Sequence, residues 1–325
     1  MLRLSTVLTC LVAVATASLL PPPNPSSHNP FSSKQISRLV VFGDSYSVQN
    51  VGDGRLQWPD WVAGRQYANV ELFDFAQSGA TCSQALTPRI YPAIMENELP
   101  LYTTMQKNGS LPRLQAQNTL FAAWIGTNDV GAGCLLTGDQ TPGVTLVDTT
   151  NCVAQWVQKV YALGGRNFLF LNMAPLERAP MYQADAYPTR YWMAAKNASE
   201  FNVVMKELTT TGNALSKFVL TDLAKSLPAA NIALFDSHSL LNDIMNNPKQ
   251  YLNGTAPFNV TGSINPCPYP VDGAQPIFCT LVNGTDQDSY VWYNELHLSN
   301  QANRVVAKNV AQVIRGQTNK WTTWL

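Results

Sequence analysis

Leu39-Val40-Val41-Phe42-Gly43-Asp44-Ser45-Tyr46 places four apolar residues directly before Gly-Asp-Ser. A run this short, built from branched and aromatic side chains, reads as a strand buried on both faces. Its stop at Gly43 puts a carboxylate and a hydroxyl at the strand's carboxyl end. The same pattern recurs outward along the chain. Val70–Ala76 leads to Ser78-Gly79, and Leu120–Ile125 leads to Gly126-Thr127-Asn128-Asp129. Asn167–Met173 leads to Ala174-Pro175, and Ile232–Phe235 leads to Asp236-Ser237-His238. Amphipathic segments fall between or after these runs. Phe201, Val204, Met205, Leu208, Leu215, Val219 and Leu223 keep a helical period before Pro228. Ala302, Val306, Val310 and Val313 do so before Gly316, with Ser299 or Asn300 as N-cap.

Strands separated by helices imply parallel pairing with right-handed crossovers. The expected fold is α/β, a three-layer doubly wound parallel sheet with helices on both faces. No repeat or linker interrupts the pattern, so residues 38–325 are expected to form one domain. In such sheets the ligand site lies beyond the carboxyl ends of the strands. That rule singles out Gly43-Asp44-Ser45, Ser78-Gly79, Gly126 to Asp129 and Ala174-Pro175, a set of small and polar groups suited to acyl chemistry.

An apolar share of 46% against 13% charged residues fits a globular chain with a large core. The 21 basic and 21 acidic residues cancel, so nothing in the balance attracts nucleic acid or an anionic membrane. A substrate steered by charge is not expected. A monomer is expected.

The N-terminus, with Arg3, an apolar run through Val14 and then Ala15-Thr16-Ala17, reads as a signal peptide over residues 1–17. It is short for a membrane span, so no anchor is expected after cleavage. Residues 18–37, rich in Pro, Ser and Asn, read as an extended lead-in. Glycosylation acceptors at Asn108, Asn197, Asn253, Asn259 and Asn283 agree with export to the cell exterior. Without Cys10 the mature chain keeps Cys82, Cys134, Cys152, Cys267 and Cys279. Local pairing is expected, Cys134 with Cys152 and Cys267 with Cys279, leaving Cys82 free.

A serine hydroxyl needs a base to become a nucleophile, and His is the usual one near neutral pH. The chain has three histidines. His28 falls in the lead-in, His238 follows the fifth strand run, and His297 precedes the last helix. Any serine mechanism must therefore draw on His238 or His297. Trp58, Trp61 and Trp292 could stack on sugar rings or fill the core.

Gly43-Asp44-Ser45-Tyr46, Gly79 in Gln-Ser-Gly-Ala-Thr, Gly126-Thr127-Asn128-Asp129 and His297 resemble the four blocks of the SGNH (GDSL-type) hydrolases, in the right order. The wording around them is similar to fungal acetylesterases of carbohydrate esterase family sixteen. The resemblance implies a flavodoxin-like fold and a secreted serine esterase with no cofactor or metal, acting on O-acetyl esters of plant-wall saccharides. It further implies that Ser45 is the nucleophile, set at the start of a helix, and that His297 is the base. The backbone N–H groups of Ser45 and Gly79 would form the oxyanion hole with the Asn128 amide, where one donor is worth about 2.7 to 4 kcal/mol.

One position departs from the family. Three residues before its histidine the family carries an Asp, and here Asn294 stands. An amide oxygen can fix the imidazole tautomer, but an amide turned the wrong way favours the wrong one. Adjacent Glu295 is a second candidate partner. Asn294 motivates one alternative, a saccharide-binding protein that kept the fold and lost the chemistry, and a separate one is a lipase or phospholipase acting on longer acyl chains. Other chemistries find less support in the sequence. There is no Gly-x-Ser-x-Gly elbow or His-Glu-x-x-His, and neither Gly52-Asp53-Gly54 nor Gly131-Ala132-Gly133 completes a dinucleotide fingerprint.

Overall fold

The computed structural model describes residues 29–31, 36–52, 54–255 and 257–325. The expected signal peptide, most of the lead-in and His28 lie outside them. The central sheet takes its strands in the order β2 (Glu71–Asp74), β1 (Arg38–Gly43), β3 (Thr119–Trp124), β4 (Asn167–Leu171), β5 (Asn231–Phe235) and β8 (Thr322–Trp324). The first five are the strands expected from the sequence, and all pair in parallel. The edge strand β8 departs from the expectation and pairs antiparallel with β5. Its three residues, Thr-Thr-Trp, are too few to carry a strand signal of their own.

Alternation along the strands divides the core in two. Leu39, Val41, Leu120, Ala122, Leu169, Leu171 and Ala233 face one side. There they meet α1 (Trp58–Ala63), α6 (Ser237–Asn246) and α7 (Asn300–Ile314). Val40, Phe42, Phe121, Ala123, Phe168, Phe170 and Ile232 face the other. They pack on α2 (Leu99–Lys107), α4 (Leu146–Ala162) and the C-terminal half of α5 (Ala198–Ala224), through residues such as Tyr102, Trp156 and Leu220. Burying one Phe or Leu side chain is worth about 1.5–3 kcal/mol, so these layers fix the strand register on which the site depends. Ser299 caps α7, its hydroxyl accepting from the Ala302 N–H at 3.1 Å.

A short parallel pair, β6 (Asn259–Ser263) and β7 (Tyr290–Trp292), lies outside the main sheet and leads into the His297 loop. Among the described residues, no helix is long and apolar enough to cross a membrane.

The cysteine pairing corrects the sequence reading in part. Cys267 is bonded to Cys279 as expected, but Cys152 is bonded to Cys82, 70 residues away, and Cys134 is the free, buried thiol. Chain proximity misled because α4 turns Cys152 toward the sheet. There it shares a core with Cys82, which lies in the loop beyond β2, whereas Cys134 sits in the turn before that helix. Asn108, Asn197, Asn253 and Asn283 are exposed and Asn259 is half-buried.

Candidate active site

Each catalytic candidate stands where a strand ends. β1 closes on Gly43, whose φ of +139° and close approach to β3 require glycine, since a Cβ there would lie 2.2 Å from the Trp124 carbonyl oxygen. Ser45 follows on a single hydrogen-bonded turn in which the Ser47 and Val48 N–H groups bond the Asp44 carbonyl. This corrects the expectation of a helix start. The Asp44 carboxylate takes the Tyr46 N–H and the Asp74 carboxylate takes the Gln49 N–H, so the turn is not propagated. The Tyr46 hydroxyl donates to the Leu296 carbonyl at 2.7 Å and ties the serine turn to the histidine loop.

His297 Nε2 lies 2.7 Å from Ser45 Oγ, and His297 Nδ1 lies 3.0 Å from Asn294 Oδ1. The same Oδ1 accepts the backbone N–H groups of Leu296 at 3.0 Å and His297 at 2.9 Å. Asn294 Nδ2 donates to the Tyr191 hydroxyl at 3.0 Å, and that hydroxyl is 3.3 Å from His297 Nδ1. An amide nitrogen cannot accept from two backbone N–H groups, so the amide has one orientation, with its oxygen toward the imidazole. Nδ1 must then carry the proton, which leaves Nε2 as acceptor for the serine O–H. All three side chains are buried. Burial pushes the His297 imidazole down to about 3, with Arg55 and Arg190 lowering it further.

Ser45, Gly79, Asn128, Asn294 and His297 line one cleft of about 330 Å³. Among the described residues, neither the Ser45 nor the Gly79 N–H meets an acceptor. Gly79 has φ +80°, and the Tyr91 ring lies where a Cβ would sit. The Asn128 amide donates to the Ala80 carbonyl at 2.8 Å and accepts from Arg89 at 3.3 Å, which leaves its second N–H for the cleft.

The remaining candidates have structural roles. Asp129 turns away from the cleft and accepts the Cys82 N–H and the Thr87 hydroxyl. Glu295 binds the Cys267 N–H and the Tyr187 hydroxyl, so it is not the partner of His297. His238 lies in the first turn of α6, outside the cleft. Trp58 and Trp292 are core residues, and half-buried Trp61 packs beside Tyr67. Among the described residues, no group of three or more His, Cys, Asp or Glu is disposed to hold a metal ion.

The GDSL-like lipase/acylhydrolase family profile matches residues 39–310, from β1 into α7. The chain belongs to this family. It is a carboxylic ester hydrolase. The GDSL-family chain is 30% identical to an acetylesterase of Hypocrea jecorina, over 98% of each chain. It is 24% identical to an acetylesterase of Thermothelomyces thermophilus, over 86% of this chain and 88% of that one. Among solved structures it matches a carbohydrate acetylesterase family member from Sinorhizobium meliloti. That match has 15% identity and a TM-score of 0.43, over 86% of this chain and 99% of the other.

Sequence reasoning missed the groups around Ser45, His297 and Asn294 of this esterase. Tyr191 and Arg190 fall in a 26-residue stretch between Leu171 and Ala198 with no strand or α-helix, where no periodicity marks them. Arg55 and Arg89 likewise sit in loops.

Proposed function

We propose that this GDSL-family esterase is secreted and removes O-acetyl groups from plant-wall saccharides through an acyl-Ser45 intermediate. The observation that carries the reading is the continuous line from Ser45 Oγ to His297 to Asn294, at 2.7 and 3.0 Å. His297 takes the serine proton as Oγ attacks the acetyl carbonyl. The Ser45 and Gly79 N–H groups and the Asn128 amide receive the developing oxyanion. His297 then passes the proton to the departing sugar hydroxyl, and water repeats the sequence on the acyl-enzyme. Asn294 holds the tautomer without supplying charge, and Tyr191 holds Asn294.

The acetyl preference is supported by the acetylesterases of Hypocrea jecorina and Thermothelomyces thermophilus. Export is supported by the leader over residues 1–17, the five sequons and the two disulfides. We take residues 38–325 as one domain.

Two measurements test the reading. A fluorophosphonate probe should label the wild-type protein and not Ser45→Ala, and acetate should be released from acetylated xylo-oligosaccharides. Absence of Ser45-dependent labelling would sink the mechanism in favour of a saccharide-binding role. A preference for long-chain over acetyl p-nitrophenyl esters would replace the acetylesterase with a lipase-like enzyme.

A further inference from the structure

The cleft that holds Ser45 and His297 also takes in Arg55, Arg89 and Arg190, and no carboxylate among its described lining residues. The chain as a whole is neutral, so its neutrality conceals a local concentration of positive charge. The three cations differ in what surrounds them. Half-buried Arg89 is engaged from behind. It donates to Asn128, and the buried carboxylates of Asp44 and Asp129 both feel its charge. Buried Arg55 has its guanidinium 4.5 Å from the centroid of the Tyr293 ring. Arg190 is exposed and makes no ion pair or hydrogen bond among the described residues. Its guanidinium lies 5.9 Å from the Tyr191 ring centroid, and that ring lies 5.4 Å from the imidazole of His297. Arg190 and His297 therefore flank the same aromatic ring, which brings an unpaired cation close to the base.

We infer that the substrate is an acetyl ester on an anionic saccharide, a sugar acid whose carboxylate docks on Arg190 while its acetyl group, or that of the adjoining sugar, enters at Ser45. This rests on the acetylesterase reading and narrows it to uronate-containing saccharides. A guanidinium fork suits a carboxylate in a way that neutral hydroxyls do not match. The catalytic geometry calls for the same partner. With Asn294 in place of an acid, His297 becomes imidazolium with no negative charge beside it and with Arg55 and Arg190 opposing it. A substrate carboxylate at the cleft mouth offsets that opposition at the moment the proton moves.

Binding to the Ser45→Ala protein tests this apart from turnover. By titration calorimetry, trigalacturonate should bind at least about tenfold tighter than xylotriose, as expected for charge-assisted hydrogen bonds to one guanidinium. The difference should shrink between about 0.05 and 0.5 M NaCl as the Debye length shortens. It should disappear on adding Arg190→Gln and reverse with Arg190→Glu. The wild-type enzyme should show the same preference in kcat/KM for acetylated oligogalacturonides over acetylated xylo-oligosaccharides. Equal affinity for the two trisaccharides, or a preference that survives Arg190→Gln, overturns the inference. Hydrolysis of p-nitrophenyl acetate, which is neutral and carries no sugar, reports separately on the esterase reading beneath it.

Discussion

Replacing Asn294 by Asp tests how the triad works without its acid. Asn294 Oδ1 is 3.0 Å from His297 Nδ1. A carboxylate centred about 4 Å from an imidazolium, at an effective dielectric constant near 20, attracts it by about 4 kcal/mol. At about 1.4 kcal/mol per unit that is about 3 units of imidazole basicity. His297, now held down at about 3, would return to the ordinary imidazole range. The pocket can accept the new charge. Three N–H donors already converge on Oδ1. The Tyr191 hydroxyl, which accepts from Nδ2 at 3.0 Å, can rotate to donate to the second carboxylate oxygen.

Two consequences separate this account from its rivals. The acid limb of kcat/KM on p-nitrophenyl acetate should move up by about 2 to 3 pH units, because a stronger base is protonated at higher pH. The plateau should rise by about tenfold to 100-fold. That is less than the roughly 10⁴-fold separating Asp from Asn in a serine protease, because there the amide imposes the wrong tautomer and here it imposes the right one. The variant's advantage should therefore be full near pH 7 and shrink steadily as pH falls through its raised limb toward pH 4. A folded Asn294→Asp protein with an unmoved limb and an unchanged plateau would refute the assignment and point to another partner for His297.

Other consequences can be checked independently. Tyr191→Phe removes the acceptor for Asn294 Nδ2, a loss of about 0.5–1.5 kcal/mol. kcat should fall about twofold to tenfold with KM little changed, and the loss should persist in an Asn294→Asp background, where the hydroxyl donates to the carboxylate instead. Stability should fall as pH rises from about 4 to 7. Burial raises Asp44 and Asp74 from 3.8 to about 7 and Asp129 to about 6. Each raised carboxyl contributes stability that is present below the unfolded value and lost as pH climbs through the folded one. His297, depressed from 6.5 to about 3, acts in the opposite sense, present above 6.5 and lost as pH falls, but it is one group against four, since burial raises Glu98 as well. A melting temperature at pH 8 equal to or above that at pH 5 would contradict this balance. Replacing Cys82 and Cys152 by Ser opens a cross-link spanning 70 residues and should cost about 4 kcal/mol in calorimetric unfolding. Peptide mapping that recovers a Cys134–Cys152 pair would refute the assignment.

The parallel strands were legible because each is short, apolar and stopped by small residues, and burial on both faces leaves that mark in a sequence. The strand-end rule singled out Ser45, Gly79 and Asn128, while His297 was picked out by the scarcity of histidines and by the family resemblance. Three things were not. β8 has three residues and no periodicity, and it exists because β5 offers an open edge. The Cys82–Cys152 bond joins a loop to the inner face of a helix, a contact set by packing rather than spacing. Tyr191 and Arg190 stand in a stretch without strand or α-helix, and their proximity to His297 follows from how that stretch folds over the cleft. A sum of charges over the chain likewise does not register that Arg55, Arg89 and Arg190, from separate loops, line one cleft.

The buried acids explain how loops of such small residues hold a site to within hydrogen-bond tolerance. Glu98 accepts the Gly43 N–H at 2.9 Å, Asp44 accepts the Tyr46 N–H, and Asp129 accepts from the loop carrying Cys82 and Thr87. None of the three forms an ion pair among the described residues, and burial raises the affinity of each for its proton. Each instead joins one strand-end loop to another or closes a turn. Asp129 links the β3 end to the loop after β2, Glu98 links the start of α2 to the end of β1, and Tyr46 carries the serine turn to Leu296 beside the base. A donor aimed at an oxyanion is worth most when it does not have to reorganise as charge develops. Asp129, which turns away from the cleft, therefore braces the loop carrying Asn128 against the loop that follows Gly79.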